Sequence, residues 1–227
     1  MSQGKFIFSS IITTLVFPVL ILFAAGNWYW VEGWIFALWT DAMILSNMIY
    51  LYRKDPALLA ERSKWPGSDN QKVWDQYLLI GIYVMGLVWF VIMPLDAERF
   101  RWSPSFPLWL RILGGIALGP AFYLIYAATA ENTFLSTMVR IQRERNQRVI
   151  STGVYSLVRH PLYLGALLML LGAPFLLGSL SGLAVGLIGA LILVGRIIGE
   201  EQMLTNELEG YRDYRKRVPY RLIPLVW

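Results

Sequence analysis

From Pro161 to Gly195 the chain runs 35 residues without a charged side chain. A helix crosses the hydrocarbon core of a bilayer in ~20 apolar residues, so this run is too long for one span and suits two. Gly178-Ser-Leu-Ser-Gly182 offers a turn between them. Phe6–Val31, Gln76–Leu95 and Ile112–Ala130 are also free of charge and of span length. Over the whole chain 56% of residues are hydrophobic and 15% charged, whereas soluble domains carry about 25% charged residues. These numbers exclude an ordinary soluble domain and a disordered chain. With no Cys and only one His, His160, thiol catalysis, Cys-ligated metals and His-cluster metal sites are excluded as well.

The pattern predicts an all-α, polytopic transmembrane bundle of about six spans, near residues 6–25, 29–51, 76–95, 108–130, 161–178 and 182–199. The first is too long for a signal-peptide core and is read as a retained span. Glu32 and Asp41 interrupt the second. Asp41 falls at mid-membrane, where a carboxyl is either hydrogen-bonded to a neighbouring helix or functional. With six spans, 17 of the 20 Lys and Arg fall on the side of the N-terminus, and only Arg99, Arg101 and Arg111 on the other. The positive-inside rule then makes both termini cytoplasmic. The net charge of +5 follows from basic loops beside anionic headgroups and needs no nucleic acid. Gly115/Gly119, Gly178/Gly182 and Gly182/Gly186 have the spacing of close helix contacts, and Pro18, Pro120 and Pro174 are expected to kink their helices. Beyond the last span, Glu200–Arg217 reads as an amphipathic helix with Leu204, Leu208, Tyr211 and Arg215 on one stripe. Pro219 ends it, and Tyr220–Trp227 follows as an extended strap. The chain divides into an N-terminal four-span membrane region, residues 1–130, and a region at 131–227 where polar residues concentrate.

Those polar residues lie in the loop Glu131–Gly153, in Gly153-Val-Tyr-Ser-Leu-Val-Arg-His-Pro-Leu-Tyr-Leu-Gly165 at the start of the fifth span, and in Arg196-Ile-Ile-Gly-Glu-Glu201 at the end of the sixth. Because the last two spans form a hairpin, the start of one and the end of the other share a membrane face. Arg196 and Glu200 are four apart on a helix and share a side. Each cluster also has a plainer reading. Arg159-His160 suits an interfacial anchor, Arg196 with Glu200-Glu201 a solvated ion-pair face, and Arg140–Arg148 a solvated loop beside headgroups. No nucleophile elbow, Walker loop or dinucleotide fingerprint is present. The residues alone therefore stop at a membrane enzyme or transporter with a cytoplasmic polar site.

Gly153-Val-Tyr155, Arg159-His-Pro-Leu-Tyr-Leu-Gly165, Arg196-x3-Glu-Glu201-x2-Leu204, Gly210-Tyr-x2-Tyr214 and Val218-Pro…Pro224 resemble the isoprenylcysteine carboxyl methyltransferase family of integral membrane enzymes. Phospholipid N-methyltransferases share a looser form of the pattern. The resemblance covers about residues 130–227, which it makes the methyltransferase-like region: cytoplasmic loop, two-span hairpin, C-terminal helix and tail. It implies an S-adenosylmethionine site bounded by Gln147, Arg148, Val149, Ile150, Tyr155, His160, Pro161, Leu162 and Tyr163, with Glu200 as the cofactor's carboxylate partner. Arg196 falls where the family places an arginine near the substrate carboxylate. No catalytic residue and no metal ligand is assigned. The implied activity is carboxyl O-methylation of an isoprenylcysteine-like or other lipophilic acceptor, prenylated small molecule or protein, at the membrane lipid surface.

Besides a non-enzymatic reading, a helix-packing or transport accessory protein, two enzymatic alternatives stay open. One is N-methylation of a phosphatidylethanolamine-type lipid with the same donor. The other is an NADPH-dependent sterol reductase, whose family shares an Arg-His-x-x-Tyr-x-Gly stretch but tends to place an acidic residue after that Gly, where this chain has Ala166.

Overall fold

The computed structural model of the chain describes residues 3–227, and every regular element among them is helical. In chain order the α-helices are α1 (Gln3–Ala25), α2 (Val31–Lys54), α3 (Pro56–Arg62), α4 (Val73–Pro94), α5 (Leu108–Glu131), α6 (Pro161–Leu177), α7 (Leu180–Glu207) and α8 (Tyr211–Arg217). The six spans read from the charge pattern correspond to α1, α2, α4, α5, α6 and α7. Val31–Lys54, Val73–Arg99, Leu108–Glu131 and Leu180–Glu207 are long and apolar enough to cross a membrane. Ser10–Ala25 and Pro161–Leu177 are shorter apolar helices. Leu87, Ile116 and Leu191 are each more than 60% exposed, and a chain in water would not leave so many large side chains bare. This is the lipid-facing surface of a multi-pass membrane protein.

Phe36, Trp89, Met93, Leu118 and Leu177 form the core between the spans. Here α5 and α6 approach closely because glycine removes side chains at the crossing. A Cβ on Gly114 would meet the Leu176 nitrogen at 2.4 Å, and one on Gly172 the Gly114 carbonyl at 2.9 Å. The sequence pointed one residue away from this contact. Gly119 has nothing within 4 Å of its Cβ position, and Gly115 meets only a leucine methyl at 3.6 Å. The Gly182/Gly186 spacing does mark a contact, with Met93 at 2.3 Å and the Leu170 carbonyl at 2.6 Å respectively. Pro18, Pro120 and Pro174 all lie inside unbroken helices.

The α6–α7 hairpin is closed by Gly178, whose φ of +81° ends α6, and by Ser179, whose Oγ accepts the Gly182 N–H at 2.8 Å to cap α7. A π-turn at Leu95–Arg99 brings fully buried Asp96 against this turn. Asp96 accepts from Ser179 Oγ at 2.7 Å, Ser181 N at 2.9 Å, and Ser103 N and Oγ at 2.8 Å each. A carboxylate at the positive end of α7 suits the helix dipole.

Two expectations are corrected. α7 does not stop near residue 199; it continues to Glu207, and the predicted helix over Glu200–Arg217 is broken at Leu208–Gly210. Leu208 is extended and Gly210 has φ +79°, a conformation that costs glycine nothing. The apolar stripe survives the break, since Tyr211, Tyr214 and Val218 pack against Leu204, Leu208 and Val149. Asp41 is buried, and its Oδ1 has no hydrogen-bond partner among the described residues.

Candidate functional site

Residues about forty apart in sequence meet where α6 begins and α7 ends. Pro161 occupies the first turn of α6, where its missing N–H is harmless. Just before it, Arg159 and His160 donate their backbone N–H groups to the carbonyls of Tyr220 and Arg221 in the tail, at 3.0 and 2.9 Å. The tail is therefore a strap across the start of α6. Glu201 locks the assembly. Its carboxylate, 3% exposed, accepts from Arg159 Nε at 2.6 Å and Arg221 Nε at 2.7 Å, and lies 3.3 Å from His160 Nε2. Arg159 also donates Nη1 to the Val218 carbonyl at 2.7 Å.

Glu200, the preceding residue, faces elsewhere. It accepts a 2.7 Å hydrogen bond from the Tyr163 hydroxyl and borders a cavity of about 250 Å³. Gln147, Arg148, Val149, Ile150, Tyr155, His160, Pro161, Leu162, Tyr163, Arg196 and Glu200 all line this one cavity. Their individual settings differ. Gln147 spends its side-chain oxygen on the Gln142 N–H at 2.7 Å, while Arg148 is exposed at the rim. Ile150 and Leu162 pack against the cluster of Ala128, Val154 and Tyr155, and the Tyr155 carbonyl accepts from the Tyr214 hydroxyl at 2.7 Å. Burial pushes the Tyr155 hydroxyl well above its ordinary pKa, which keeps it a protonated donor. The His160 and Tyr163 rings lie 5.6 Å apart.

Arg196 does not pair with Glu200. Its Nε donates to Asp75 Oδ1 at 2.7 Å, its Nη2 to the Thr137 carbonyl, and its guanidinium sits 5.9 Å from the Tyr163 ring centroid. Asp75, at the start of α4 and fully buried, also accepts from Gln71 Nε2 at 2.8 Å and Val139 N at 2.7 Å. The solvated ion-pair face is thus replaced by a buried pair bridging α4 and α7.

The loop after α5 departs from the solvated reading as well. Arg140 is 4% exposed and forks onto Glu61 at 2.7 and 2.8 Å, with Asn70 at 2.9 Å and Glu144 as further partners. Burial pushes the Glu61 carboxyl up, but hydrogen bonds from Arg140 and Lys64 outweigh it and hold the group down at about 2. Gln142 is buried too and donates to the Phe134 carbonyl at 2.8 Å.

Sequence reasoning missed the N-terminal side of the cavity: Arg62 from α3, and Leu79, Ile82 and Tyr83 from α4. One signal was available. The positive-inside count already put the loop carrying Arg62 on the same membrane face as Glu200.

Fold and cavity define a polytopic helical membrane protein with a cavity of mixed polar and apolar lining where α6 begins and α7 ends. Residues 109–210 match the phospholipid methyltransferase family. The chain is 34% identical over 116 residues to a protein-S-isoprenylcysteine O-methyltransferase of Schizosaccharomyces pombe, covering 50% of this chain and 48% of that protein. It is 31% identical over 124 residues to protein-S-isoprenylcysteine O-methyltransferase B of Arabidopsis thaliana, covering 54% and 60%. A delta(14)-sterol reductase of Mus musculus is 30% identical over 118 residues, 47% of this chain and 28% of that protein. The chain thus spans about half the length of the curated methyltransferases it matches, and the resemblance read from its motifs is to proteins of that kind.

Proposed function

We propose that the chain is an integral membrane methyltransferase that uses S-adenosylmethionine to methylate the carboxylate of a lipophilic, isoprenylcysteine-like acceptor. The observation that carries this reading is the gathering of Gln147–Ile150, Tyr155, His160–Tyr163 and Glu200 around one cavity. The donor set suits a cationic cofactor. Glu200 offers a carboxylate fixed by Tyr163, and the Tyr155 and Tyr163 rings offer π faces to positive charge. When bound, the cofactor supplies an electrophilic methyl group on a sulfonium. A carboxylate acceptor is already ionised at neutral pH, so the protein's task is to hold two reactants in line and exclude water. His160, whose Nε2 lies 3.3 Å from Glu201, is not asked to remove a proton in this reading. N-methylation would need a base for the acceptor's ammonium group.

Arg196 serves the acceptor side in this reading. Asp75 and Thr137 engage two of its nitrogens and leave Nη1 for an anion. With six spans and the basic loops inside, the cavity opens at the cytoplasmic face, where both termini lie. The acceptor reaches it from the membrane. The test is transfer of label from methyl-tritiated S-adenosylmethionine. Base-labile label on a farnesylcysteine-type carboxylate supports the reading; label on phosphatidylethanolamine amines alone contradicts it.

A further inference from the structure

The cavity wall carries more cationic side chains than its pairings consume. Arg140 is matched to Glu61, Arg159 to Glu201 and Arg196 to Asp75. Arg148 stands exposed at the rim. Arg62 is different. It comes from the last turn of α3, lines the cavity, and is half-buried. It forms no ion pair among the described residues, and its one hydrogen bond there is from Nη1 to the Leu135 carbonyl at 3.2 Å. Its electrostatic neighbours are Tyr83 and Tyr155, two hydroxyl-bearing side chains of the same wall. Burial pulls its pKa down, as expected for a charge removed from water with no carboxylate beside it. A half-buried guanidinium with donors to spare and no carboxylate beside it is set up to be completed by an anion.

We propose that Arg62 is a binding residue of this cavity, supplying a planar, two-point contact to a carboxylate of a bound ligand. The inference rests on the methyltransferase reading and deepens it. S-Adenosylmethionine and a prenylcysteine acceptor each bring one carboxylate, and Arg196, with Nε and Nη2 engaged by Asp75 and Thr137, can meet only one of them. Arg62 is the second cationic group the pair of ligands requires, and it comes from outside residues 109–210, which match the phospholipid methyltransferase family. The N-terminal helices then help to build the site as well as anchor it.

The experiment compares wild type, Arg62→Lys and Arg62→Gln, each purified intact and checked by thermal unfolding. Three probes are titrated: S-adenosylhomocysteine, 5′-methylthioadenosine (which lacks the amino-acid carboxylate), and farnesylcysteine against its methyl ester. Arg62→Gln is expected to lose about ten- to a hundred-fold in affinity for a carboxylate-bearing probe, the range for one charge-assisted contact, and nothing for its carboxylate-free counterpart. Loss confined to S-adenosylhomocysteine assigns the contact to the cofactor; loss confined to farnesylcysteine assigns it to the acceptor. Arg62→Lys should retain part of the affinity, which serves as the readout if the Gln variant does not fold. Unchanged affinity for every probe overturns the proposal, as does equal loss for 5′-methylthioadenosine. A wild type that binds no S-adenosylhomocysteine defeats the methyl-donor reading before Arg62 is touched, so the two failures are distinguishable.

Discussion

Glu200 and Glu201 are neighbours in sequence with separate duties. One helical step turns them about 100° apart, which sends Glu201 into a knot with Arg159, Arg221 and His160 and leaves Glu200 to Tyr163 and the cavity. Glu200→Gln should therefore fold normally and bind S-adenosylhomocysteine about ten- to a hundred-fold more weakly, the equivalent of roughly 1.5–3 kcal/mol for a charge-assisted contact. Calorimetry with an unchanged affinity would remove Glu200 from the site. Glu201→Gln should do the reverse. It leaves the buried Arg159 guanidinium uncompensated, at a cost of about 3–5 kcal/mol in stability, seen as a lower thermal midpoint in detergent. The Glu-Glu pair was legible in the sequence, but its division of labour was not. That division depends on which side of α7 meets the tail, which no local pattern encodes. The Asp75 partner of Arg196 was illegible for the same reason, since 121 residues separate the two.

At the scale of elements, α3 and the loop after α5 are joined by Glu61 and Arg140. Because the Glu61 carboxyl is held at about 2 against an ordinary 4.5, its contribution to stability is fully present above pH 4.5. That contribution is lost as the pH falls from 4.5 toward 2. Thermal unfolding of wild type and Glu61→Gln across this range should show a gap that is constant above about pH 5 and narrows in acid. A gap independent of pH would mean the pair does not titrate as described. The spans themselves were readable because burial in lipid demands long charge-free runs. The end of α7 was not, because the stripe of Leu204, Leu208 and Tyr211 has the same period on either side of a break. Gly210 was the available clue, as glycine is the residue that ends helices most readily.

For the whole molecule, the lopsided placement of Lys and Arg predicts orientation. Reporter fusions after Trp28, Trp65, Ser103, Asn146 and Trp227 should read outside, inside, outside, inside and inside. An external C-terminus would place the cavity on the wrong face for a cytoplasmic cofactor. The central claim is that the cavity bounded by α6, α7 and the loop before them takes an S-adenosyl compound. About half of the chain also matches a sterol reductase in sequence, so the discriminating measurement is a pair of titrations on the purified wild-type chain, one with S-adenosylhomocysteine and one with NADPH. The account predicts saturable binding of S-adenosylhomocysteine and none of NADPH; binding of NADPH with no S-adenosylhomocysteine bound would contradict it.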